Sequence, residues 1–171
     1  MKPRNHSTLL LTIALTAVAW SPLCHGQDLP ASFNSSIELV RAGAQADRVT
    51  MITAAMNFSD KEGSAFWPIY RKYEYERSTL DDRRVAVIKE YAAKYPSLSD
   101  SEAKSMTLKM FDYDGRLAAL KKKYFKKFNA VLPGFTVTKF FQVEHRIDLI
   151  MDTRVEATLP LLDQAQNEEA K

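Results

Sequence analysis

Long, uninterrupted helical periodicity is the feature that most restricts the fold of this 171-residue chain. Over residues 60–94, and again over residues 100–131, apolar side chains recur at intervals of three and four. This spacing places them on one stripe of an α-helix, as in a seam against a second helix. The stripes contain Phe66, Tyr70, Tyr73, Leu80, Val87 and Tyr91 in the first stretch, and Met106, Met110, Tyr113, Leu117, Leu120, Tyr124, Phe128 and Val131 in the second.

Two shorter stretches with the same periodicity, residues 37–56 and 137–157, flank this pair. Because the sequence shows helical spacing rather than strand alternation, we expect an all-α fold with four helices. The links at residues 96–99 and 132–134 are short, and short links force neighbouring helices to run antiparallel. The sequence therefore predicts an elongated antiparallel helical hairpin with two flanking helices, forming one domain over residues 37–160. Pro68 is expected to kink the second helix or to mark its true first turn.

The N-terminus has the composition of a secretory signal. Lys2 and Arg4 precede an uncharged, mostly apolar run over residues 9–20, and small residues precede a predicted cleavage point between Gly26 and Gln27. The apolar run is too short for a membrane span. We therefore expect an exported, periplasmic protein with a cleaved signal peptide at residues 1–26, a loose leader at 27–36 and a polar tail at 161–171.

Composition restricts the chemistry of the predicted mature form. The full chain has 24 basic and 21 acidic side chains, and loss of the signal leaves 22 against 21, which argues against dedicated binding of nucleic acid. The single cysteine, Cys24, lies in the signal, and His145 is the one histidine that remains. A closed zinc site needs four Cys or His ligands, and catalysis needs a nucleophile or an acid–base pair. We therefore predict no enzyme, no cofactor and no metal site.

Three helix starts share one pattern, in which an apolar residue precedes Ser or Thr and a longer polar residue follows three positions later. In such a capping box the hydroxyl accepts a hydrogen bond from a first-turn amide, and the polar side chain bonds back. The residues are Phe58, Ser59 and Glu62; Leu98, Ser99 and Glu102; and, more loosely, Phe135, Thr136 and Lys139. An alternative register for the third motif begins at Leu132 and reaches Thr136. The spacing suggests this register, because an aromatic pair begins eight residues after Phe58, at Phe66, and another begins eight residues after Leu132, at Phe140.

These motifs resemble the Leu-Thr-x-x-Gln helix starts of the Spy/CpxP family of periplasmic proteins. The resemblance covers residues 38–160 and includes the blocks at 66–70, 122–125 and 140–144. Ser59 and Glu62 stand where the family has Thr and Gln, and Lys139 or Thr136 replaces the second Gln. The resemblance implies a long helical hairpin with two flanking helices, often dimeric and shaped as a thin, curved cradle. It implies an ATP-independent chaperone, an inhibitory accessory of envelope-stress sensor kinases, or a metal-responsive protein.

Basic and aromatic side chains are the candidates for contact with a partner. Arg77 and Arg84 occupy seam positions, so they either pair with acids such as Asp112 or Asp114 or line an open concave surface. Lysines interleaved with aromatic residues form a dense basic cluster after residue 120. The predicted contact residues are Arg77, Arg83, Arg84, Lys122, Lys123, Lys126, Phe66, Trp67, Phe140 and Phe141, and the four aromatic ones fit a core position equally well.

We therefore expect a non-enzymatic exported protein that acts through protein–protein contacts, as a holdase-type chaperone or an envelope-stress accessory. The expected partners are non-native or envelope proteins, with a homodimer as the form that the resemblance implies. One alternative is a metal or ligand sensor that uses His145 and the methionines Met51, Met56, Met106 and Met110. The other is a binder of anionic envelope lipid through the basic cluster, making a peripheral contact with the envelope.

Overall fold

A computed structural model describes the chain at residue 43, over residues 46–157, at residue 159 and over residues 161–162. The predicted signal peptide, the leader at 27–36 and most of the polar tail lie outside the described residues. The described part contains four α-helices and no strand, which confirms the predicted all-α fold. None of these helices combines the length and the apolar character needed to cross a membrane.

The helices follow the predicted order with small differences at their ends. Helix α1 is described over residues 46–56, and the part of the predicted 37–56 helix before residue 46 lies outside the described residues except for residue 43, which is helical. Helix α2 covers Asp60–Lys94, α3 covers Asp100–Asn129 and α4 covers Gly134–Glu156, with a 3₁₀ turn at Tyr95–Ser97 between α2 and α3. The bounds of α2 agree with the prediction. Helix α3 ends two residues before the predicted bound, and α4 begins three residues earlier. Pro68 lies inside α2, eight residues after its start, so it does not mark the first turn.

Two capping boxes form as predicted. Ser59 and Ser99 each accept a hydrogen bond from the amide of the Glu three residues later, at 3.4 and 3.3 Å, and each Glu bonds back to the cap amide. The third box does not form, because α4 begins at Gly134 with Pro133 at the N-cap and no capping side chain among the described residues. Thr136 therefore lies within the first turn, where its hydroxyl donates to Glu62 Oε1 at 2.9 Å.

The start of α4 also distinguishes the two registers of the third motif. Pro133 occupies the N-cap position that Ser59 occupies in α2, so the register beginning at Leu132 matches the first motif. Lys139 plays no part in a cap of its own helix. Its ammonium group instead donates to the carbonyl oxygen of Met56 at the end of α1, at 3.3 Å.

The helix directions follow from contacts near their ends. Helix α4 runs parallel to α2, because Thr136 meets Glu62 near both starts and Glu156 pairs with Arg84 farther along. Helix α1 runs antiparallel to α4, since its end lies by Lys139 and its beginning pairs with Arg154 near the end of α4.

The hairpin is longer than the helices that cover it. Helix α2 has 35 residues and α4 has 23, which correspond to lengths of about 52 and about 35 Å. Since α4 ends level with Arg84, residues 85–110 extend past it as a two-helix projection. We call residues 85–110 the distal arm, and the remaining parts of α2 and α3 together with α1 and α4 the proximal region.

Aromatic rings form the core of the proximal region. Phe66 is fully buried and lies 5.1 Å from the ring of Phe128 and 4.9 Å from the ring of Phe140. Tyr73 and Tyr124 extend the same cluster, with ring centroids 5.2 Å apart. Helix α1 closes one side of this core with two buried apolar residues, Ile52 and Met56.

Candidate functional site

Arg77 is buried among the helices and does not line an open surface. Its guanidinium group lies 2.8 Å from Glu144 Oε1 and 2.8 Å from Asp148 Oδ1, both on α4. The prediction that Arg77 pairs with acidic side chains is therefore confirmed. The prediction that these acids lie on α3 is wrong. Asp112 pairs with Arg116 on its own helix instead. Helix α4, not α3, supplies the two buried acids that pair with Arg77.

Charged side chains from all four helices meet around these two acids. Arg48 of α1 lies 2.7 Å from Asp148 Oδ1, and Lys121 of α3 lies 2.6 Å from Asp148 Oδ2. The hydroxyl of Tyr73 donates to Glu144 Oε1 at 2.8 Å. We call Arg48, Arg77, Lys121, Glu144 and Asp148 the ion cluster.

The electrostatics of the ion cluster point to a structural role. Burial by itself would raise the pKa of Asp148, but the positive charges of Arg77, Arg48 and Lys121 outweigh it and lower the pKa. Burial also raises the pKa of Tyr73, and the charge of Glu144 adds to this effect. The neighbouring positive charges thus favour the ionised form of Asp148, and burial favours the neutral form of Tyr73. Buried charges must be paired, so the ion cluster favours one arrangement of the four helices.

The aromatic pairs predicted for partner contact divide between core and surface. Phe66 and Phe140 are fully buried, so they cannot contact a partner. For these two residues the alternative interpretation, a position in the core, is correct. Trp67 and Phe141 are half-buried at the edge of the same cluster. One residue of each pair is therefore in the interior, where the rings of Phe66 and Phe140 lie 4.9 Å apart.

The remaining basic candidates lie in several different places. Arg84 is mostly buried, pairs with Asp152 and Glu156, and lies with its guanidinium carbon 5.6 Å from the ring centre of Tyr113. Lys123 lies 2.6 Å from Glu76, while Arg83 is exposed beside a groove on the outer face of the hairpin.

Lys122 and Lys126 are the predicted basic residues that the structure brings together with an aromatic partner. They lie on α3 beside Phe125 and Phe141, around a shallow depression of about 470 Å³. Both lysines are exposed, and no acid among the described residues forms an ion pair with either. This depression is therefore a basic and aromatic surface.

A larger surface feature is an apolar groove of about 720 Å³ in the distal arm, which we call the distal groove. It begins where α4 ends, so the apolar seam between α2 and α3 is left without a third helix over it. Its main lining residues are Val87, Ile88, Tyr91, Leu98, Met106, Met110, Leu159, Leu161 and Leu162.

A short segment after α4 forms one edge of the distal groove. The hydroxyl of Tyr95 donates to the carbonyl oxygen of Leu161 at 2.7 Å. Leu161 and Leu162 nevertheless remain 88% and 55% exposed, so this edge presents apolar side chains to solvent. Glu156 is the charged residue at the rim. A semi-open groove of this size and lining is suited to burying apolar side chains or an apolar ligand.

The distal groove was not predicted from the sequence, although the predicted helix lengths already indicated an uncovered end. The predicted lengths of the second and fourth helices already differed by more than ten residues, and a shorter parallel neighbour must leave the end of the longer helix uncovered. What was missing was the direction of α4 relative to α2, which fixes the end that stays uncovered.

The residues considered for metal binding are dispersed. His145 is exposed on α4, Met56 and Met106 are buried, and Met51 and Met110 are half-buried. In the described part of the chain, no three His, Cys, Asp or Glu side chains are grouped so that they could hold a metal ion. Compared with protein-family models, curated proteins and solved structures, the chain matches none. The resemblance to the Spy/CpxP family therefore stays a prediction.

Proposed function

We propose that this protein is a non-enzymatic holdase that binds exposed apolar segments of other polypeptides through the distal groove. The observation that carries the proposal is the uncovered apolar seam past the end of α4. An unfolded chain exposes apolar side chains at irregular spacing. A long groove without deep, shaped subsites accepts such side chains without requiring one sequence.

The chemistry of the lining supports contact rather than catalysis. Met106 and Met110 lie on the groove, and methionine side chains adapt to apolar partners of different shape. The distal arm has no counterpart of the ion cluster, because the charged pairs described there, such as Lys94 with Glu102 and Lys109 with Glu90, lie at the surface. Binding would therefore need no ATP and no covalent step.

The site of action is part of the same proposal. The basic start and apolar run of residues 1–20 support export, and an exported holdase must work where ATP is not supplied. An envelope-stress accessory would need the same kind of surface, since it also acts by binding another polypeptide. The two versions differ in the partner, non-native protein in one and a folded sensor domain in the other.

Aggregation of a denatured client tests the proposal. Light scattering of reduced α-lactalbumin is recorded with and without the purified protein, and we expect suppression at a few-fold molar excess. A double variant, Leu161→Asp with Leu162→Asp, places charge on the exposed edge of the groove and should abolish most of the suppression. Both residues are more than half exposed, so the fold is expected to tolerate the change.

The matched control carries the same change at an exposed apolar residue outside the groove. Leu149→Asp on α4 meets this condition, since Leu149 is 53% exposed. The control should suppress aggregation as well as the unchanged protein does. Lack of suppression by the unchanged protein would remove the holdase function. Equal suppression by the double variant would show that the distal groove is not the binding surface.

A further inference from the structure

The end of the molecule at which α3 turns into α4 carries an unbalanced positive charge. Residues 121–146 contain six lysines and one arginine but a single acid, Glu144. Glu144 is fully buried in the ion cluster, so it contributes no negative charge to the surface. The remainder of the predicted mature chain has 15 basic and 20 acidic side chains, so the charge is divided unequally along the sequence. We call residues 121–146 the basic segment.

Three lysines of the basic segment form no ion pair in the described part of the chain. Acids of α2 lie at the same end but have partners of their own. Glu62 bonds to the cap of its helix, and Glu76 is paired with Lys123. Asp60 lies beside Lys61, so these two charges offset one another. The end therefore keeps a positive surface that attracts anions. The unpaired lysines are Lys122, Lys126 and Lys127, and all three are exposed.

Large apolar side chains project from this end as well. Phe135, in the first turn of α4, is 83% exposed, and Val131, in the turn between the helices, is 51% exposed. One turn before the end of α3, Phe125 is 45% exposed and meets Phe141, with the ring centres 5.9 Å apart. Apolar side chains at a protruding turn, with lysines behind them, are typical of a surface that enters the headgroup region of a membrane.

We infer that this end is a second binding surface, and that its partner is an anionic phospholipid membrane that the protein contacts without crossing. The unpaired lysines supply attraction to the negative surface at long range. Val131 and Phe135 supply apolar contact once the protein has arrived. The shape favours a membrane, because a protruding turn reaches a flat bilayer, whereas a bound peptide needs a groove for its side chains. A second copy of this chain would bring two positive ends together, which is repulsive.

The basic segment and the distal groove lie at opposite ends of α2. The start of α2 is close to the turn, because Thr136 donates a hydrogen bond to Glu62. Ile88 of the distal groove lies about 40 Å farther along the same helix. A protein bound to a membrane through the basic segment therefore keeps the distal groove free. The inference does not depend on the holdase function, and the variant Leu161→Asp with Leu162→Asp should still bind the membrane.

Flotation with vesicles tests the inference. The chain is purified without residues 1–26, because the apolar run of the predicted signal would itself bind lipid, and all the described residues are retained. We expect it to float with vesicles that contain about one third phosphatidylglycerol, but not with pure phosphatidylcholine. Raising the salt from about 0.05 to about 0.5 M should weaken binding at least about tenfold, because salt screens the charges. Equal binding to both kinds of vesicle would overturn the inference.

The lysines are tested by removing their charge. Lys122→Gln with Lys126→Gln should weaken vesicle binding about 30-fold, since each lysine near an anionic surface contributes about a factor of five. The control, Lys104→Gln with Lys109→Gln, removes the same charge from exposed ion pairs of the distal arm and should bind nearly as well as the unchanged chain. Equal weakening in both double variants would show that net charge governs binding and would overturn the assignment to this end.

The apolar contact is tested at the turn. Val131→Ser with Phe135→Ser should weaken vesicle binding at least about tenfold, because less apolar surface is buried. Leu108→Ser with Phe111→Ser is the matched control, since both residues are more than half exposed but lie outside the basic segment. Equal weakening in the control would contradict insertion of the turn.

A fluorophore that responds to polarity locates the contact directly. Attached at Phe135→Cys, it should shift to shorter wavelength when vesicles are added, and at Leu108→Cys it should not. Cys24 is absent from the purified chain, so each label is unique. A shift at Leu108→Cys alone would overturn the inference. Binding of poly-glutamate without any binding of anionic vesicles would do the same, and would assign the basic segment to an acidic polypeptide.

Discussion

The proximal region and the distal arm are built from the same two helices but are held together differently. In the proximal region four helices surround a cluster of aromatic rings, and the ion cluster joins all four of them. In the distal arm only α2 and α3 pack together, with Ile88, Leu98 and Met106 as the buried apolar residues. The comparison teaches that one hairpin can have its stabilising contacts at one end and leave an apolar seam uncovered at the other.

The polar contacts differ in the same direction. Four of the five members of the ion cluster are buried, so removal of one of these leaves an unpaired charge in the interior. The pairs of the distal arm, Lys94 with Glu102 and Lys109 with Glu90, are accessible to water and contribute little to stability. We therefore expect the distal arm to open locally at a lower free energy than the proximal region. Easy opening is what the proposed binding of different apolar segments would require.

The largest expected effect is in the aromatic core. Phe66→Ala should lower the free energy of unfolding by about 3–5 kcal/mol, because the ring is fully buried and its neighbours are close-packed. Ile88→Ala in the distal arm should cost about 2 kcal/mol, since Ile88 borders an existing groove. Urea unfolding followed by far-UV circular dichroism measures both. Equal costs would contradict the division between the two regions.

The second prediction compares Arg77 and Arg84, which the sequence analysis placed in the same kind of seam position. Arg77→Ala should destabilise the protein by about 3–5 kcal/mol, because Glu144 and Asp148 lose a buried counter-charge. Arg84→Ala should cost about 1 kcal/mol or less, since its partners Asp152 and Glu156 are half exposed to water. The same urea titration measures both values. If Arg84→Ala lowers the free energy of unfolding as much as Arg77→Ala does, the rigid region reaches farther toward the distal arm than we propose.

These arginines also show how far the sequence could predict the structure. The apolar periodicity was sufficient for the four helices and for the burial of Phe66, Tyr73 and Phe128. The spacing also indicated that Arg77 lies on a seam. It could not indicate which acids pair with it, because a stripe on one helix carries no information about the rotation of the others. That rotation places Glu144 and Asp148 against Arg77 and leaves Asp112 outside.

The helix caps and the distal groove also show that the sequence predicts local contacts better than the arrangement of the helices. Ser59 and Ser99 were predictable because a capping box is a contact within five residues of sequence. Thr136 fitted the same local pattern, yet Pro133 starts α4 earlier and the hydroxyl of Thr136 turns to Glu62 on another helix. The distal groove depends on where α4 ends relative to α2, which is a property of the assembled helices.

A third prediction compares the two capping boxes. Ser59→Ala and Ser99→Ala should each cost about 1 kcal/mol of helix stability, because each removes the hydroxyl that accepts from a first-turn amide. The two substitutions should destabilise different parts of the chain. Hydrogen exchange should accelerate mainly over residues 85–110 in Ser99→Ala, whereas in Ser59→Ala it should change with global unfolding. Ser105→Ala, at an exposed mid-helix position, is the control and should leave both regions unchanged.

The smallest expected effect is an opposite response of two carboxyl groups to acid. Burial raises the pKa of Glu74 in the proximal region above its ordinary value of 4.5, so protonation favours the folded state. Its contribution to stability is present below pH 4.5 and is lost as the pH rises through the raised pKa. In the distal arm, hydrogen bonds from Lys94 and Ser99 lower the pKa of Glu102 to about 2. Its contribution is present above pH 4.5 and is lost as the pH falls toward about 2.

The variants Glu74→Gln and Glu102→Gln should therefore change the pH dependence of stability in opposite directions. Urea midpoints at about pH 7, about pH 5 and about pH 3 measure it. Relative to the unchanged chain, Glu74→Gln should remove the gain in stability that appears as the pH falls from neutral toward 4.5, because glutamine needs no proton to be neutral. Glu102→Gln should remove a loss between about pH 5 and about pH 3. A shift of the same sign in both variants would show that Glu74 is as well solvated as Glu102, and that the proximal region is more open than its buried ion cluster indicates.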